Sequence, residues 1–108
     1  MSRGEGQTEM ADFILSGGGL TVRGELRDEV KGEFQERCAE LLDSGEDLLV
    51  LDLSGVEYMA SCHLAIVLQL LLDAHGKRKE LKTKVRSRLY ELFELGHIHE
   101  VMDIEVVL

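Results

Sequence analysis

Read for its apolar positions, the chain changes period several times, and glycines mark most of the changes. Short apolar runs at residues 13–15 and 20–23 flank Gly17, Gly18 and Gly19, the pattern of a hairpin at the edge of a sheet. Val30, Phe34, Cys38 and Leu41 then recur at helical spacing. Asp28 stands where a cap would be, and Gly45 where the helix would stop. LLVLDL at residues 48–53 is almost continuously apolar, as a central strand covered on both faces would be. Residues 54–60 read as a turn into a second helix over residues 62–74, with Ser61 as its cap and Gly76 near its end. That helix is apolar nearly all round, so the sheet, alone or together with a partner, must cover it.

Leu81, Thr83 and Val85 next alternate with Lys82, Lys84 and Arg86, a half-exposed strand. Ser87 is placed to cap a third helix carrying Leu89, Leu92 and Phe93, Gly96 to end it, and residues 104–108 to supply a last strand. With right-handed crossovers this order predicts one α/β domain, with a mixed, mostly parallel sheet, an antiparallel N-terminal edge and three to four helices. Leu49, Leu51, Leu53, Val67, Leu71 and Val85 are its expected core. Residues 1–11, polar and glycine-rich without a period, read as a flexible tail ahead of a domain over residues 12–108.

A length of 108 residues allows one compact domain and excludes a two-domain enzyme. Aromatic residues make up 5% of the chain and Trp is absent, which argues against a surface that stacks bases or sugars. Two cysteines are too few for a disulfide-stapled scaffold, and no charged start followed by an apolar stretch precedes the folded part, so a cytoplasmic location is expected. The longest apolar run, Leu64 to Leu72 broken only by Gln69, is far short of the roughly 20 residues that cross a bilayer, so no membrane insertion is expected.

The net charge of −9 is unevenly spread. Residues 1–75 carry 5 basic and 15 acidic side chains, residues 76–88 carry 7 basic and 1 acidic, and the remaining residues carry 5 acidic and none basic. An acidic body repels a phosphate backbone, so nucleic acid is not an expected partner. The basic band of Lys77, Arg78, Lys79, Lys82, Lys84, Arg86 and Arg88 reads as a solvated loop and strand face.

Candidate chemistry is sparse. A thiol at a helix start, such as Cys62, can be made nucleophilic by a lowered pKa. His63 beside it is no base, because neighbours at a helix start point in different directions. Cys62 reads as a packing residue, with a redox-sensing thiol as the alternative, and Cys38 on the helical stripe reads as core. His97 and His99 lack the companions of a metal site and His75 stands alone, so no metal and no cofactor are implied. The triple glycine lacks the Lys-Ser/Thr of a phosphate-binding loop.

Three segments carry a family resemblance. GELRDEV at residues 24–30 resembles the "GELD" step of the STAS (sulphate transporter and anti-sigma factor antagonist) domain. LLVLDLSGVEYMASCHLAIVL at residues 48–68 is similar to its "vvlDLSgVefiDSSGLavL" segment, and LYELFELGHIHEVMDI at residues 89–104 resembles its closing element. The resemblance implies a STAS-like domain with no enzymatic activity, a signalling module for transcription regulation by partner switching. It further implies a docking surface at residues Glu57, Tyr58, Met59, Ala60, Ser61, Cys62, His63 and Leu64, of which Glu57, Tyr58, Ser61 and His63 are expected to be exposed.

In that family the second Ser of Asp-Ser-Ser-Gly is the phosphoacceptor of a cognate kinase, and phosphate there switches binding off. Position by position, the four places hold Ala60, Ser61, Cys62 and His63. The phosphoacceptor-equivalent position is therefore Cys62, which cannot take phosphate in the ordinary kinase reaction. Ser61 reads as a helix cap, with a role as alternative phosphoacceptor left open. Two functions follow from the resemblance. One is an anti-sigma factor antagonist that binds an anti-sigma factor or kinase-like ATPase and lacks the usual phosphorylation switch. The other is a subunit or scaffold of a phospholipid ABC transporter assembly, docked on its ATPase.

Overall fold

The computed structural model describes residues 11–108. The tail expected over residues 1–11 therefore lies, apart from Ala11, outside the described residues; Ala11 opens the first strand and is buried. Five strands and three α-helices follow one another: β1 (Ala11–Ser16), β2 (Gly19–Leu26), α1 (Lys31–Leu42), β3 (Leu48–Met59), α2 (Cys62–Gly76), β4 (Glu80–Arg86), α3 (Ser87–Leu95) and β5 (Asp103–Val107). Single 3₁₀ turns at Asp28–Val30 and Ile98–Glu100 precede α1 and β5. The strands lie in chain order, β1 antiparallel to β2 and every other neighbour parallel.

The hairpin forms because its turn residues are glycines. Gly17 takes φ +57°, and a Cβ on Gly18 would come within 2.8 Å of the Leu48 carbonyl oxygen. Parallel strands that follow one another in space through right-handed crossovers place α1, α2 and α3 on the same face of the sheet. Burial follows that geometry. Leu20, Val22, Leu49, Leu51, Leu53, Leu81 and Val85 point to the helices and pack on Phe34, Leu41, Val67, Leu71 and Phe93. All six side chains expected in the core are buried.

Several local expectations are corrected. Residues 48–53 are not covered on both faces: Leu48 is 54% exposed and Val50 and Asp52 are half-buried, because among the described residues no helix crosses the second face. Residues 54–60 are not a turn, since β3 runs on to Met59 through two slips of register against β2. Asp28 opens the 3₁₀ turn and does not cap α1, where Val30 holds the cap position without a side-chain hydrogen bond. Ser87 is the first residue of α3 and likewise makes no cap bond. Leu72, at 56% exposure, leaves part of α2 uncovered.

The open face of the sheet explains the basic band. Lys82 and Lys84 lie beside Asp52 of β3 and Asp103 and Glu105 of β5 in register, and Lys82 Nζ is 3.6 Å from Glu105 Oε1. Lys77 pairs with Asp43 at 3.6 Å, and Lys79 donates to the Glu46 carbonyl at 2.6 Å. Opposite charges on neighbouring strands favour this arrangement by a few tenths of a kcal/mol per pair, roughly 0.2–1.

Thr83 is fully buried among Leu51, Leu49 and Val85, and among the described residues its hydroxyl has no hydrogen-bond partner. A buried unpaired hydroxyl costs about 1–3 kcal/mol, and a methyl of the same shape removes that cost. Thr83→Val should therefore raise the urea midpoint at unchanged slope, by about 1 kcal/mol in stability.

Candidate functional site

The segment that leaves β3 and enters α2 is tied to the end of β2. Ala60 N–H donates to the Leu26 carbonyl at 2.8 Å, and the His63 ring Nε2 lies 2.9 Å from the Arg27 carbonyl oxygen. A carbonyl can only accept, so Nε2 donates this bond. His63 has no solvent exposure, its Nδ1 has no hydrogen-bond partner among the described residues, and the ring stands edge-on to Phe34 at 5.3 Å between centroids. The expectation that His63 is exposed is thus corrected. It sits on the same helical face as Ile66, Val67, Leu70 and Ala74, all buried, and packing claims it.

Cys62 takes the opposite direction. Its Sγ donates to Asp28 Oδ1 at 3.3 Å, and the side chain is half-buried. Burial pushes the thiol pKa up first, and the hydrogen bond and charge of Asp28 push it further, while Lys31 and a backbone N–H pull it down by less. The helix start therefore holds a protonated thiol rather than the activated one its position suggests. Cys38 is more extreme, with burial raising its pKa to about 12.

Ser61 is exposed and occupies the cap position with φ −61° and ψ −24°, already helical, and it makes no cap bond. A capping hydroxyl reaches the second or third N–H from an extended backbone, which Ser61 lacks, so the reading of Ser61 as a cap is corrected. Of the expected interface, Glu57, Tyr58 and Ser61 are exposed, Ala60, Cys62 and Leu64 are half-buried, and Met59 and His63 are buried. Tyr58, 49% exposed, lies under the Arg27 guanidinium at 5.3 Å, and Arg27 Nε is 2.6 Å from Glu25 Oε1. Arg27, Asp28 and Glu29 join this exposed edge from the turn after β2, a contribution that GELRDEV carried without its neighbour being visible.

A crevice opens beside the edge. β3 pairs with β4 only from Leu48↔Glu80 to Asp52↔Lys84, after which β3 stays with β2 while β4 continues against β5. The gap is a crevice of about 540 Å³ between residues 54–59 on one side and Arg86, Ser87, Arg88, Leu89 and Leu92 on the other. The second wall escaped the sequence reading, because Arg86 and Arg88 looked like the end of a solvated band. Among the described residues no three His, Cys, Asp or Glu side chains converge on a metal-sized space, and His97 Nδ1 lies 3.4 Å from Glu100 Oε2. Among the described residues, no helix is long and apolar enough to cross a membrane.

The family model described as "Mlab, STAS domain" matches residues 11–104. The chain belongs to the STAS family. Its fold is similar to that of an anti-sigma factor antagonist from Mycobacterium paratuberculosis, with a TM-score of 0.79 at 19% identity over 92% of this chain and 86% of that one. It is also similar to the anti-sigma factor antagonist SpoIIAA in its unphosphorylated form, with a TM-score of 0.69 at 10% identity over 89% and 88% of the two chains. No curated protein sequence matches the chain.

For this STAS domain two outcomes follow. Asp28→Asn removes the negative charge that helps raise the Cys62 pKa and adds an amide N–H that can stabilise the thiolate, so more thiolate exists at mildly alkaline pH. Iodoacetamide should label Cys62 several-fold faster, with the midpoint of the rate–pH curve moved to lower pH, as read by peptide mass spectrometry. His63→Ala leaves a cavity and an unpaired Arg27 carbonyl, and should lower stability by about 2–4 kcal/mol in urea unfolding.

Proposed function

We propose that this STAS domain is a non-catalytic, cytoplasmic regulatory module that works as an anti-sigma factor antagonist, docking an anti-sigma factor or kinase-like ATPase through the edge formed by Arg27, Glu57, Tyr58 and Ser61. The observation that carries the reading is the pinning of that edge: the Ala60–Leu26 and His63–Arg27 hydrogen bonds hold a half-exposed Tyr under an Arg, on a rigid sheet end. Tyr and Arg are the residue types that dominate binding energy at interfaces, and a surface held in place before contact loses less freedom on binding. Beside it there is a thiol that burial and the Asp28 carboxylate hold in its protonated, non-nucleophilic form, which supports binding over catalysis.

Regulation in this reading does not run through phosphate at Cys62. A kinase needs a hydroxyl to attack the terminal phosphoryl group, and the thiol faces the carboxylate of Asp28, whose charge opposes an added phosphate. Changes in expression, or modification of the exposed Ser61, remain as levers on the same edge.

Two measurements test this. With the partner isolated from native cells, Tyr58→Ala should weaken binding about 30-fold, the loss of roughly 2 kcal/mol expected of a hot spot, at unchanged thermal stability. Unchanged affinity would move the interface elsewhere. Protein recovered from its own cells should show no phosphatase-sensitive mass on the peptide that contains Cys62, and a stable phosphate on that sulfur would overturn the reading.

A further inference from the structure

The docking reading leaves the crevice between β3 and α3 without an occupant. Three observations describe what it would hold. First, among the described residues β3 has a neighbouring strand on only one side beyond Asp52, so the backbone of residues 54–59 presents an open edge to the crevice. Such an edge is completed by a chain in extended conformation, which supplies main-chain donors and acceptors in register. Second, the crevice has an apolar floor of Val56, Met59, Leu89 and Leu92. Third, its far rim is cationic. Arg86 and Arg88 are exposed, and among the described residues no carboxylate lies within salt-bridge distance of either, although Lys77 and Lys82 of the same basic band are paired. The first turn of α3, on the same rim, makes no side-chain cap bond. Glu57, on the β3 side, is the acidic group that lines the crevice and gives it a polarity from one wall to the other.

We infer that the crevice takes an extended, acidic segment of the protein partner, laid along residues 54–59 of β3 with its carboxylates toward Arg86 and Arg88. This deepens the docking reading and rests on it for the identity of the partner only. The segment's alternate side chains would face the apolar floor and the cationic rim in turn, as the two-residue period of a strand requires. Carboxylates on the Glu57 side would meet a like charge, which fixes the direction of the acidic face.

The test uses the whole chain and a defined probe. The isotope-labelled protein is titrated with a blocked hexapeptide of alternating Glu and Val, and separately with its Lys and Val counterpart, while amide shifts are followed. The expected result is saturable shifts confined to residues 54–59 and 86–92 with the Glu peptide, little or no change with the Lys peptide, and about a tenfold loss of affinity in the double variant Arg86→Glu, Arg88→Glu. Both arginines are exposed, so the variant's spectrum elsewhere should be unchanged. Absence of shifts at millimolar peptide, equal binding of the Lys peptide, or full affinity in the double variant would each overturn the proposal.

The native partner separates this from the docking reading. If Tyr58→Ala loses that partner while the double arginine variant keeps it, the edge docks and the crevice stays empty, and the segment proposal fails alone. If the double variant loses both peptide and partner while Tyr58→Ala keeps the partner, the segment is upheld and the Tyr58-centred docking reading fails.

Discussion

The bond between the His63 ring and the Arg27 carbonyl is the contact on which the exposed edge of this domain depends. It joins the first turn of α2 to the end of β2, far apart in the chain, and it does so inside the protein, where a hydrogen bond is stronger and its loss more costly than at the surface. The neighbouring bond from Ala60 N–H to the Leu26 carbonyl adds a second point of attachment. With two points fixed, the short segment of Ala60 and Ser61 cannot swing, and Tyr58 and Arg27 keep their relative positions. The price of this arrangement is a buried Nδ1 against Phe34 with no hydrogen-bond partner among the described residues, a polar atom that a less constrained helix start would expose to water.

A second constraint acts through β3. Register slips against β2, between Thr21 and Arg23 and between Gly24 and Glu25, bend the strand as bulges do. β4 does not follow, because Val85 and Arg86 stay paired with β5. The sheet therefore divides at its carboxyl end, and the division creates both the crevice and the projecting strand end that carries Glu57 and Tyr58. Had β3 ended near residue 53, α2 would begin flush with the sheet and neither feature would exist.

This division marks the limit of what the sequence made legible. Alternation at Leu81, Thr83 and Val85 and the stripe from Val30 to Leu41 specify their elements directly, since period alone decides which face is buried. The run at residues 48–53 was ambiguous, because Leu48 and Val50 are as apolar as Leu49 and Leu51, and only the placement of all three helices on one side tells the faces apart. His63 was misread for a different reason. A polar residue beside a helix start invites an exposed assignment, yet spacings of three, four, seven and eleven residues to Ile66, Val67, Leu70 and Ala74 put it on the buried stripe. Asp28 was read as a helix cap, and its contact with Cys62 could not be found from spacing, since the two are brought together only by the fold.

The charges around the edge then follow from these placements. Asp28, Glu29 and Glu57 are exposed on the side of the β2 turn and the strand end, and Arg86 and Arg88 on the side of α3. Complementary potentials of two signs set the orientation of a partner more strongly than they set its affinity. They also decide where further negative charge is tolerated. At Cys62 it meets the carboxylate of Asp28 at hydrogen-bond distance, which already holds the thiol in its neutral form. Across the crevice it meets two arginines that, among the described residues, have no carboxylate of their own. An anionic group therefore finds repulsion at the start of α2 and attraction at the start of α3, so in this STAS domain the place suited to negative charge lies one strand away from the position that takes phosphate in the family pattern.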